Sequence, residues 1–196
     1  MQHAHPMKTH RHPKPRKSAR TKYILGIVSP ILTVLIVAGF FLGIMMSAEA
    51  HGVKSAQSFV QNASVGNQFE ISSSQLALQK SQNDDVRQFA QHMIDDHTRV
   101  GDRLKETLAS MDNAPAPASG LDAKHQHMLN KLQSASGAGF DKLYVHDQVK
   151  AHKEAVGLFQ DYGSHGDNDA LKGFASDMLP TLQEHEDKIR QIDKTI

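Results

Sequence analysis

Over residues 86–104 the apolar positions Val86, Phe89, Ala90, Met93, Val100 and Leu104 recur at intervals of three and four, the period of a helix with one buried stripe. His97 falls on that stripe, so this helix turns an imidazole towards its own core. Taken alone, such a histidine is most simply a core residue satisfied by one hydrogen bond.

Three further helices share the design. A helix over about 53–80 carries Phe59, Ala63, Gly66, Ser73 and Ala77 on one face, and Glu70 lies on that same face. Only Ser81, Gln82 and Asn83 separate it from the next helix, which Asn83, Asp84 and Asp85 start well, and so short a turn makes the two antiparallel neighbours. That second helix ends near Met111, before the DNAPAPASG stretch at 112–120. A short helix over 121–133 and the break SASGAG follow. A helix over 140–162 has the stripe Phe140, Tyr144, Gln148, Ala151, Ala155, Leu158 and Phe159, with His152 on its inward edge. The last helix, over 168–192, buries Leu171, Phe174, Met178, Leu182, Ile189 and Ile192; His185 is the polar member of that stripe, and Pro180 predicts a kink. Short, long and short connections define an all-α, ferritin-like four-helix bundle whose long crossover holds a short extra helix.

The pattern ahead of the bundle is different. Residues 23–46 include no charged side chain, and 24 positions at about 1.5 Å each make roughly 36 Å, enough to span a hydrocarbon core. Residues 1–22 hold seven Lys and Arg and no acid, which reads as a disordered cytoplasmic tail under the positive-inside rule. The expected arrangement is a single-pass protein of the bacterial inner membrane, anchored through residues 23–46, with residues 51–196 in the periplasm. Ala48-Glu49-Ala50 also matches a signal-peptidase site, which would release the domain; the apolar run is longer than a usual signal segment and favours the anchor.

Charge and composition narrow the function. Residues 51–196 carry 15 basic and 20 acidic side chains, a balance of 15 − 20 = −5, which lacks the basic footprint of nucleic-acid binding. The absence of Cys removes disulfides, thiolate metal sites and cysteine nucleophiles. Thirteen His is the more telling count, although His3, His5, His10 and His12 lie in the tail without fixed geometry.

The four inward polar residues are Glu70, His97, His152 and His185. Glu70 lies 12 residues before Gln82 and His97 lies 15 after it, a difference of about 4.5 Å in height, so the two can meet. His152 lies 13 residues before His165 and His185 lies 20 after it, an expected offset nearer two turns. One carboxylate and three imidazoles converging in a bundle suit a divalent metal such as zinc, iron or copper. Asp96, Asp147 and Glu184 are near enough in sequence to add ligands or outer acceptors. The alternative is a hydrogen-bonded Glu-His network without metal.

QFAQHMIDDHT at 88–98, Phe140-Asp141 with His152, and Leu179-Pro180 with His185 together resemble a bacterial domain-of-unknown-function family whose members are described as membrane or exported proteins. The resemblance covers about residues 56–192 and implies an export segment followed by a ferritin-like four-helix domain, with Glu70, His97, His152 and His185 at its recurring polar positions. It supplies no reaction. Di-iron bundles place Glu-x-x-His on each of two helices, whereas Ile94 and Leu182 stand three residues before His97 and His185, so a carboxylate-bridged di-iron centre does not fit. Two functions follow: an envelope stress or interaction module acting through its surface, as a homo-oligomer or on an envelope partner, or a metal-binding protein or weak metal-dependent oxidase.

Overall fold

The computed structural model describes residues 55–196; the basic tail, the apolar run at 23–46 and the Ala48-Glu49-Ala50 pattern lie outside them. Among the described residues there are five helices and no strand: α1 (Ala56–Lys80), α2 (Asp84–Ala109), α3 (Ala123–Ser134), α4 (Gly137–His165) and α5 (Asp169–Asp193). No helix among them is long and apolar enough to cross a membrane.

Local chemistry sets the boundaries. The Asn83 side chain accepts from the amides of Asp85 and Val86, satisfying donors that the first turn of α2 leaves free, and Asp84 and Asp85 complement the helix dipole there. Asn168 caps α5 through the Leu171 amide, and Asp122 caps α3 through that of His125. Helix α4 is longer at both ends than the apolar stripe predicts. Its first residue, Gly137, takes φ +55°, a left-handed conformation open to glycine, and this lets the chain reverse after only Ala135 and Ser136. Pro180 lies inside α5, which continues through it.

Helix α1 packs against α2 and α4, and α5 against α4 and α2, so the bundle runs α1, α2, α5, α4 around its axis. The α1–α4 seam therefore lies across the bundle from the α2–α5 seam. The crossover follows α1, where Gln61 and Gln68 donate from Nε2 to the carbonyls of Ala116 and Ala118, at 2.7 and 3.1 Å. Helix α3 lies on α1 and α4, and Lys80 donates to the Leu132 and Ala135 carbonyls at its end.

The core divides into two apolar clusters. One contains Phe59, Val60, Val100, Leu104, Phe159, Tyr162, Leu171 and Phe174; the other contains Phe69, Val86, Phe89, Met93, Phe140, Tyr144, Ile189 and Ile192. On α2, α4 and α5 the break between the two clusters is where the inward histidine stands, and on α1 Glu70 directly follows Phe69 of the second cluster. Most predicted stripe positions are buried, while Gly66, Ala151, Ala155, Leu158 and Met178 are only half-buried.

Candidate metal centre

Glu70 on α1, His97 on α2, His152 on α4 and His185 on α5 are all buried, with 4, 4, 0 and 1% exposure. The expected two-turn offset between His152 and His185 is absent. Residues 166–168 form the connection outside both helices, so His152 stands 13 residues before the end of α4 and His185 stands 16 after the start of α5. Three residues of difference amount to about 4.5 Å, the same mismatch as across the first turn.

The three histidines form a near-equilateral triangle. Their ring centroids are 5.7 Å apart for His97 and His152, 5.5 Å for His97 and His185, and 5.5 Å for His152 and His185. One ligand atom from each lies within 4.8 Å of the others. Glu70 approaches this triangle at one corner, with Oε1 3.9 Å from His152 Nδ1, and is not one of the three converging ligands.

Each imidazole has one nitrogen fixed and one free. His97 Nδ1 is 3.0 Å from Asn67 Oδ1, His152 Nδ1 donates to the Gln148 carbonyl at 3.0 Å, and His185 Nε2 is 2.8 Å from Asp96 Oδ2. These acceptors place the proton on the bonded nitrogen. The other nitrogens, His97 Nε2, His152 Nε2 and His185 Nδ1, are buried without a hydrogen-bond partner, as is Glu70 Oε2. A buried nitrogen of this kind costs about 1–3 kcal/mol unless something bonds to it.

Electrostatics favours the ligand form. Burial holds His97 well below the ordinary imidazole range, and the neighbouring His152 and His185 lower it further. Burial likewise brings His152 down to about 4, and it lowers His185 against the opposing pull of Asp96. All three are then neutral near pH 7, as metal ligation requires. Burial pushes Glu70 up to about 8, which makes it a neutral acid.

Asp96 is buried rather than solvated. It receives His185, His92 at 3.1 Å and the Arg99 guanidinium, which places it directly behind the triangle. Asn67 and His92 have no counterpart in the sequence reading. Asp147 is buried away from the triangle's ligand set, and Glu184 is exposed.

A cleft of about 440 Å³ opens along the α1–α4 seam beside the start of α3 and reaches Glu70, His97 and His152. Gly66, Ala151, Ala155 and Gly157 leave it open because they have little or no side chain to fill the seam.

Fold and centre together define a helical bundle with a buried layer of three histidines. The chain belongs to the family described as Domain of unknown function (DUF4142), whose pattern matches residues 44–192. A solved structure described as CopM in the Cu(II)-bound form is similar to it, with a TM-score of 0.61 at 21% identity, covering 72% of this chain and 97% of that one. At that identity the likeness concerns the fold. No curated protein matches the chain.

Proposed function

We propose that this domain is a metal-binding module, with His97 Nε2, His152 Nε2 and His185 Nδ1 as ligands and Cu(II) as its preferred ion. The observation that carries the reading is that each histidine is held through one nitrogen while the other stays buried and unpartnered. A network closed by direct hydrogen bonds among these side chains would leave no such atoms. Tetrahedral ligation at about 2.0–2.1 Å places nitrogens about 3.3 Å apart, and one ring nitrogen of each histidine already lies within 4.8 Å of the others, close to that spacing.

Imidazole donors suit copper and zinc, and among divalent first-row ions the affinity of such a site peaks at Cu(II). The Cu(II)-bound relative in fold agrees with this choice. Glu70 is the fourth donor in this reading: its Oε2 is buried without a partner, the residue lines the cleft together with His97 and His152, and a bound cation would draw the proton from it. The same proposal places the module outside the cytoplasm on a membrane anchor at 23–46, because the basic residues precede the apolar run.

Elemental analysis after loading with Cu(II) and removal of loose ions tests the reading. One ion per chain in the wild type, lost in His97→Ala, His152→Ala and His185→Ala, supports it. A folded wild type that retains no more copper than the three variants contradicts it, and retention in E70Q equal to wild type would remove Glu70 from the ligand set alone.

A further inference from the structure

The triangle has a second neighbour, on the opposite side of the bundle from the cleft. On the α2–α5 seam His92 Nε2 lies 3.1 Å from Asp96 Oδ2, and the same oxygen lies 2.8 Å from His185 Nε2. The rings of His92 and His185 are 5.4 Å apart, and one ligand atom from each of His92, Asp96 and His185 lies within 4.8 Å of the others. His92 is half exposed, with 54% of its side chain open to solvent, whereas His185 is buried. Both groups of three contain His185.

We infer that His92, Asp96 and His185 Nε2 form an outer capture site for a divalent transition-metal ion, which passes the ion through His185 to the inner triangle. This rests on the inner site being a metal centre. Two imidazoles and a carboxylate make a donor set for the same ions as the inner site, and the exposed His92 opens the outer set to solvent on this side of the bundle.

The shared histidine makes the two sites alternate. A neutral imidazole has one lone-pair nitrogen, so His185 offers either Nε2 outwards or Nδ1 inwards. With the ion outside, Nε2 is ligated and the proton resides on Nδ1. As the ion moves inside, Nδ1 is ligated by exchange of His92 and Asp96 for His97 and His152, and the proton returns to Nε2, which again donates its hydrogen bond to Asp96. His185 keeps its one proton throughout, no electron moves, and the proton given up to solvent is that of Glu70 as its carboxylate joins the inner set. Arg99, also paired with Asp96, competes with the cation; its side chain is 70% exposed, so it has room to swing away, and it weakens the outer site relative to the inner one.

The test uses the full-length chain in mild detergent, stripped of metal, mixed with one equivalent of Cu(II) and freeze-quenched for electron paramagnetic resonance. The wild type is expected to show an early signal with two nitrogen donors and a carboxylate, converting to a three-imidazole signal. His92→Ala should lack the early signal and fill the inner site more slowly by roughly ten-fold, the scale of change that loss of a supporting ligand brings. In the double variant His97→Ala/His152→Ala the early signal should form and persist. Wild-type loading kinetics in His92→Ala, or a second copper held outside a filled inner site, would overturn the relay while leaving the inner centre intact. A wild type that takes up no copper in its core would overturn both.

Discussion

Asp96 Oδ2 and His185 Nε2 stand 2.8 Å apart across the α2–α5 seam, so that a buried carboxylate fixes the ring through one nitrogen and leaves the other, Nδ1, buried without a partner. The contact orients the imidazole and raises its basicity, which is how partners behind a ligand tune a metal centre.

Replacing Asp96 should therefore weaken metal binding without removing a ligand. Asp96→Asn keeps the shape but allows the amide to donate, which favours the wrong tautomer of His185. Cu(II) affinity measured by competition with a chelator is expected to fall by about 10–100-fold, with helicity by circular dichroism unchanged. Asn67→Ala should act on His97 in the same way.

The metal-free domain should have a stability optimum near pH 6.5. The buried histidines bind protons more weakly folded than unfolded, so their contribution is full above the ordinary value of 6.5 and is lost as pH falls towards about 4 for His152. Glu70 has the opposite sign. Raised from 4.5 to about 8, it gives stability that is full below pH 4.5 and is lost as pH rises through 8. Between 4.5 and 6.5 three histidines outweigh one carboxyl, and above 6.5 Glu70 acts alone. Urea midpoints across pH should fall on both sides of the optimum, and the alkaline decline should be absent in E70Q.

Stability and metal binding should separate at Phe59. Its ring stacks on Tyr162 at a centroid distance of 4.1 Å and meets Phe159 and Phe174 edge-on, in the apolar cluster on one side of the polar layer. Phe59→Ala removes a fully buried ring and should cost about 3–5 kcal/mol in chemical unfolding. At low temperature, where the variant remains folded, its copper stoichiometry should match the wild type.

The four long helices and their inward polar residues were legible because each depends on a period within one helix. His97 interrupts an otherwise apolar stripe, and the same holds for His185. Contacts set by neighbouring helices were not legible in this way. Asp96 lies one position off the stripe, and whether that edge meets water or α5 is decided only by packing. Asn67 reaches His97 where Gly101 lets α1 and α2 come close; a Cβ at Gly101 would lie 3.1 Å from the Asn67 amide nitrogen. His92 and Asp96 do share the i, i+4 spacing of a helical ligand pair, a signal in the sequence that gains meaning only once His185 is seen opposite. The two-turn offset arose from counting loop residues at helical rise.

Counting the imidazoles on a single bound copper ion tests the central claim most directly. Pulsed electron paramagnetic resonance of the full-length chain with one equivalent of Cu(II) should report three imidazoles, a signal that each of His97→Ala, His152→Ala and His185→Ala lacks. The variant lacking all three supplies the background from the N-terminal histidines. A wild-type signal indistinguishable from that background would contradict the buried three-histidine centre.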